Sequence, residues 1–244
     1  TIIGNINDAK KGVFQVTKRF INYQFNLRQH KTTYNDWIQA FIKAVHKRVD
    51  NQNYPVFVCL SSGYDSGAIC NALNIIGKEY YTYTIIADEN MDIVNKRISI
   101  GKEGKHLLES NIMNIGINQF IKFKTKLINE TEKFQYHTHG KNMVVTDDNA
   151  SVGMAKICNM ASVTGRRIYL SGQGADEITS DYGFGGHKIY HHSSFGGKYP
   201  DKLEDILGNC DPADMNQQVW NSFYYGTQQD YLGKEETVSG KYGI

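Results

Sequence analysis

The chain has 244 residues, 40% of them hydrophobic and 21% charged, and its 27 basic and 25 acidic residues leave a formal net charge of +2. That length can bury a core for one large domain, or one domain with an appendage, and the composition is that of a folded soluble protein rather than a disordered one. The balanced charge, without a run of Lys and Arg, argues against nucleic acid as a partner, and no apolar stretch approaches the roughly 18 residues of a membrane span.

Residues 1–32 are mixed and aromatic with no clear period, and read as a lead-in segment. Thr33 to Val49 has helical spacing, with Trp37, Phe41, Val45 and Val49 at four-residue steps. Val56 to Leu60 is a short apolar run suited to a buried parallel strand. Ser61 to Ser66 reads as a turn, Gly67 to Ile76 as a helix, and Gly77 as its close. A second strand is expected over Tyr80 to Ala87, then a helix around Lys102 to Ile112 and a strand over Gln119 to Phe123. Ala150 to Val163 reads as a helix and Ile168 to Leu170 as a strand. Alternating strands and helices of these lengths predict an α/β fold, a parallel twisted sheet with helices on both faces. Residues 183–200 are rich in Gly, His and Tyr and suit a long surface loop.

Two segments carry chemistry. Leu60-Ser-Ser-Gly-Tyr-Asp-Ser66 lies between a strand and a helix, where backbone N–H groups and the helix dipole favour an anion. Gly63 lets backbone approach the anion, and Ser61, Ser62 and Ser66 add hydroxyls. Asp65 would repel phosphate unless it held a cation such as Mg²⁺ against it. Leu170-Ser-Gly-Gln-Gly-Ala-Asp-Glu177 repeats the arrangement, with Gly172 and Gly174 exposing backbone and Asp176 offering a second carboxylate. A polar turn with capping acids is the plainer account of either segment alone; two in one sheet favour a nucleotide and its metal.

Other groups have ordinary explanations. Cys59, Cys70, Cys158 and Cys210 form no CxxC pair and are expected to be small buried hydrophobes, as in a cytoplasmic protein. His137 with His139, and His191 with His192, lack ligand-spaced acids or cysteines and suit solvated loops. Asp147 and Asp148 precede a helix and suit capping. Tyr80, Tyr81 and Tyr83 suit a strand, and Lys234, Glu235 and Glu236 a solvated face.

The two segments resemble the motifs of the asparagine synthetase family, Ser-Gly-Gly-x-Asp-Ser and Leu-Ser-Gly-Glu-Gly-Ala/Ser-Asp-Glu. The tail from Lys234 to Ile244 is similar to the stretch that in such proteins runs on into Glu-x-Arg-x-Pro-Phe-Leu-Asp. The resemblance implies an adenine-nucleotide alpha-hydrolase-like, ATP-pyrophosphatase domain over residues 33–182. Residues 183–244 would then be a loop and the start of a mostly helical or irregular C-terminal part. It implies ATP and Mg²⁺ as cofactors, a small-molecule carboxylate and an amine donor as partners, and amide formation through an acyl-adenylate, aspartate to asparagine by default. Leu60, Ser61, Ser62, Gly63, Asp65, Ser66, Ile86, Ser171, Gly172 and Gly174 would bind ATP or pyrophosphate, and Asp65 and Asp176 the metal.

Three departures qualify the match. Ser62 replaces a glycine, which requires a negative φ. Gln173 stands where the family has a catalytic glutamate, and an amide can orient a substrate but not serve as general base. The glutaminase half and the downstream segment are not in the sequence, so the resemblance implies a partial or processed chain, with another domain or chain supplying the rest. A peptide or β-lactam cyclase, an inactive homologue that keeps the fold, and a tRNA-modifying enzyme remain as alternatives.

Overall fold

Apolar strands and amphipathic helices alternate along residues 32–131, 134–138, 141–173 and 236–244, the part of the chain that the computed structural model describes. Helix α1 (Asn35–Val49) leads to strand β1 (Val56–Cys59), helix α2 (Tyr64–Ile76), strand β2 (Tyr80–Ile85), helix α3 (Met91–Glu103) and strand β3 (Leu107–Met113). Helix α4 (Ile117–Glu130), strands β4 (Gln135–Thr138) and β5 (Lys141–Val144), a 3-10 turn (Val145–Asp147), helix α5 (Asn149–Val163) and strand β6 (Ile168–Leu170) follow. Residues 236–240 form a further helical turn.

The strands β3-β2-β1-β6 form one parallel sheet, with Val56 opposite both Tyr80 and Ile168, and β4 pairs antiparallel with β5. Side chains of β1 alternate between two cores, as the pleat requires. Val56, Val58 and Leu60 pack with Val45 and Val49 of α1, Ile69 and Leu73 of α2, and Val94 and Ile98 of α3. Phe57 faces the other way, against Tyr83 and against Ile157, Cys158 and Ala161 of α5. Each such fully buried side chain contributes about 1.5–3 kcal/mol, so helices cover both faces of the sheet because both faces are apolar.

Strand order also locates the site. The chain steps from β1 to β2 to β3 on one side and returns with β6 on the other. The crevice beyond the carboxyl ends of β1 and β6 therefore lies at a topological switch point, where open α/β sheets take ligands.

The expected α/β sheet with helices on both faces is present, and three element assignments are corrected. The helix expected around Lys102 to Ile112 is instead the end of α3 and then strand β3. Edge position and a register shift beside Tyr80 and Tyr81 leave β3 with a broken burial pattern that does not alternate. The strand expected over Gln119 to Phe123 lies inside α4, where Phe120, Phe123 and Leu127 share one helical face packed against the core. The turn over Ser61 to Ser66 is shorter than expected, because α2 begins at Tyr64 and takes Asp65 and Ser66 into its first turn.

The helix expected from Thr33 starts two residues later, and only the inner half of its apolar stripe is covered. Val45 and Val49 are buried, whereas Trp37 is 60% exposed and stacks on Phe41. Gly77 closes α2 in the left-handed region at φ 70. Cys70 and Cys158 are buried, and burial pushes the Cys70 thiol up to about 12, so it stays an unreactive thiol. Arg166 is buried over the Tyr81 ring at 3.7 Å and donates to Tyr83 Oη and Glu109, tying β2 and β3 to the approach of β6. No helix among the described residues is long and apolar enough to cross a membrane. Residues 1–31 of the lead-in, most of 183–244, Cys210, His139, His191 and His192 lie outside the described residues.

Candidate functional site

The first loop grows directly from the end of β1. Leu60 is buried; its N–H donates to Tyr83 O at 2.8 Å and its carbonyl accepts Thr84 Oγ1 at 2.7 Å, which fixes where the chain leaves the sheet. Gly63 is the N-cap of α2 at φ -69, and Ser62 is not among the positive-φ non-glycine residues, which in the described part are Asn51 and Lys105. The condition for a serine in place of glycine at 62 is therefore met.

The N–H groups of Ser61, Ser62 and Gly63 each have an internal acceptor. Ser61 N donates to Ser66 Oγ at 3.0 Å, and Gly63 N donates to Ser61 Oγ at 3.1 Å. Ser62 N and Ser62 Oγ both donate to Glu89 Oε2, at 2.5 and 2.6 Å. From α3, Arg97 Nη1 donates to the carbonyls of Ser61 and Gly63 at 2.6 and 2.7 Å. Gly67 makes room for it, since a Cβ there would lie 2.5 Å from the guanidinium carbon.

The second loop follows β6. Ser171 Oγ accepts Gln173 N at 3.0 Å and folds the chain into a tight turn. Gly172 rests on α2: a Cβ would stand 2.5 Å from Asp65 Cβ and 3.3 Å from the Asp65 carbonyl carbon. The two motifs, about a hundred residues apart in sequence, thus touch at Gly172 and Asp65.

Between them opens a cavity of about 800 Å³. Leu60, Ser61, Asp65, Ser66, Ile86, Ser171, Gly172 and Gln173 line it, so eight of the expected site residues converge. Ser62 and Gly63 complete the loop outside that lining. Gly174 and Asp176 lie outside the described residues. Further lining residues were not foreseen: Phe120 of α4, Met154 and Ile157 of α5 and Tyr169 of β6 add mostly apolar surface. Asp88 and Glu89 follow β2, and Asp148 precedes α5.

Asp148 also caps α5, accepting Ala150 N at 3.0 Å and Ser151 Oγ at 2.8 Å, while Asp147 accepts Val144 N at 2.9 Å. Helix capping thus accounts for both acids. For a metal, no group of three or more His, Cys, Asp and Glu gathers among the described residues. Mg²⁺ nevertheless fits a site with one or two carboxylates, since phosphate oxygens and water supply its other ligands. Asp65, at the cavity wall under Gly172, is such a carboxylate.

Arg97 is the loop's brace, and charge-assisted hydrogen bonds to carbonyls contribute about 1.5–3 kcal/mol each in net terms. Arg97→Met keeps a slim side chain over Gly67 but removes both. Thermal denaturation is expected to show a loss of about 1.5–3 kcal/mol, with the secondary structure retained by circular dichroism. Unchanged stability would mean that the loop keeps its shape unaided.

The family model for asparagine synthase matches residues 36–238. Among solved structures, an NH3-dependent NAD synthetase from Campylobacter jejuni subsp. jejuni is 14% identical with a TM-score of 0.43, covering 86% of each chain. An NMN synthetase from Francisella tularensis is 13% identical with a TM-score of 0.44, covering 86% of this chain and 94% of its own. No curated protein matches the chain.

Proposed function

The chain belongs to the asparagine synthase family, and from that premise we propose that its cavity binds ATP with Mg²⁺ and forms an amide through an acyl-adenylate. The observation that carries the reading is the contact of the two strand-end loops, Gly172 upon Asp65, across one cavity. Neither loop alone is more than a polar turn; joined at a switch point they supply backbone amides, hydroxyls and a carboxylate to one polyphosphate.

In this reading an acceptor carboxylate oxygen attacks the α-phosphorus of ATP, the bond to the β-phosphate bridging oxygen breaks, and pyrophosphate leaves. An amine then attacks the acyl carbon, loses a proton, and displaces AMP. Ser61, Ser62, Gly63 and Ser66 hold the leaving pyrophosphate, and the apolar surface of Phe120, Met154 and Ile157 takes the less polar part of the nucleotide. Asp65 would hold Mg²⁺, with Asp176 as the resemblance implies, and the metal would supply charge neutralisation to the leaving group. The protein's contribution is mostly orientation and fixed dipoles.

Gln173 lines the cavity, and in this reading it takes the place of the glutamate that usually stands near the reacting groups. Its amide can orient an acceptor or amine but not remove the proton. That favours, as a second reading, a homologue that binds nucleotide without completing amide transfer. Pyrophosphate release in the presence of ATP, Mg²⁺ and a panel of carboxylates separates the two. Aspartate-dependent release with asparagine and AMP formed in equal amounts is the expected result. Release driven only by a peptide substrate would point to a cyclase, and ATP binding without any release to the inactive homologue.

A further inference from the structure

The peptide unit between Ser61 and Ser62 is gripped at both ends by charged side chains. Its carbonyl accepts Arg97 Nη1 at 2.6 Å, and its N–H donates to Glu89 Oε2 at 2.5 Å. The peptide is planar, so these two contacts fix the direction in which the N–H points. Glu89 lines the cavity, so the N–H points at a carboxylate on the cavity side. The other two loop amides are covered only by hydroxyls, those of Ser66 and Ser61. A hydroxyl can turn away or donate to an incoming anion, whereas an ionised carboxylate only accepts.

Ser62 itself strengthens the arrangement. Its hydroxyl donates to the same Glu89 oxygen at 2.6 Å and accepts Asn90 N at 3.2 Å. The serine that replaces glycine in the first motif thus docks the end of the β2–α3 connection, at the N-cap of α3, onto the loop.

Resting on the nucleotide reading above, we propose that Glu89 is a specificity-determining residue that competes with phosphate for the Ser62 N–H and so excludes polyphosphate carrying its full charge. A carboxylate and a phosphate cannot share one donor, and two anions at contact distance repel strongly in a partly dry cavity. A polyphosphate therefore binds this amide only after Glu89 has left it. Arg97 keeps the peptide oriented when that happens, because its two carbonyl contacts do not involve Glu89.

The test is pyrophosphate binding by calorimetry in metal-free buffer, where no cation can bridge the two anions, on the full chain and on Glu89→Ala and Glu89→Gln. A charge-assisted hydrogen bond removed from competition predicts that metal-free pyrophosphate binds Glu89→Ala about ten-fold or more tightly than the parent. Glu89→Gln, which keeps an acceptor but no charge, should fall between them. A residue that merely supported the loop would weaken binding when removed, so the gain is diagnostic. Equal or weaker binding by both variants overturns the proposal. A parallel titration with Mg²⁺ present separates the two levels: parent binding there with no metal-free gain in either variant refutes only the role of Glu89. No binding by any chain in either buffer refutes the nucleotide reading and this proposal with it.

Discussion

Asp65→Asn is expected to lower the proposed Mg²⁺-dependent pyrophosphate release by about 10²–10³-fold while leaving the protein folded, the range seen when one preorganised electrostatic group is removed from an active site. Asparagine has the same shape, so the contact with Gly172 survives. As an acid in the first turn of α2, Asp65 also interacts with the helix dipole, a term of about 0.3–1 kcal/mol at an exposed position. Stability therefore changes little and turnover much. A Mg²⁺ titration of pyrophosphate release is the measurement. An unchanged rate and half-saturation in Asp65→Asn would remove the metal from this residue.

Gly172→Ala acts on the same contact from the other side. The added Cβ would stand 2.5 Å from Asp65 Cβ, with backbone of Asp65 at 3.3 and 3.5 Å, so no flexible side-chain end can yield. Either the end of β6 or the first turn of α2 must move. Overpacking of this kind costs about 1–3 kcal/mol, and a displacement of catalytic groups near 1 Å costs about 10²-fold in rate. Gly104→Ala, at the end of α3 and away from the cavity lining, is the matched control: its Cβ would meet nothing nearer than 3.4 Å, and φ -70 suits any residue. Release measured beside a thermal melt should show Gly172→Ala far more impaired than Gly104→Ala. Equal impairment would mean that close approach at 172 is not what the site requires.

Much of the site was legible because strand ends and glycine-rich turns are local features. Val56 to Leu60 is an unbroken apolar run that can only be a buried strand or part of a helix, and the Ser-Ser-Gly that follows decides for the strand. Ile168 to Leu170 repeats the pattern. Where the reading failed, the local signal was ambiguous. Leu107 to Met113 sits at the sheet edge with Leu108, Glu109 and Ile112 exposed, so neither a continuous apolar run nor clean alternation marks it. Gln119 to Phe123 is too short a window to separate a strand from a turn of helix, and the helical face emerges only with Leu127. Phe120, read as part of a strand, was therefore not among the expected site residues.

Period and punctuation in the sequence were enough for the alternation of strands and helices around the two motifs, because each depends on neighbours within a few residues. They also supported Asp65 and Ser171 to Gln173 as site residues, since turn chemistry and helix starts are written locally. Which strand lies beside which was not written there. The β3-β2-β1-β6 order, set by burying both faces of β1, is what brings Gly172 onto Asp65. The charged clamp on the loop belongs to the same level: Glu89 and Arg97 reach Ser61–Gly63 from 27 to 36 residues away. No motif spans such a gap; packing of α3 beside α2 closes it, because a buried apolar face and a polarised peptide each require a partner wherever the chain can supply one.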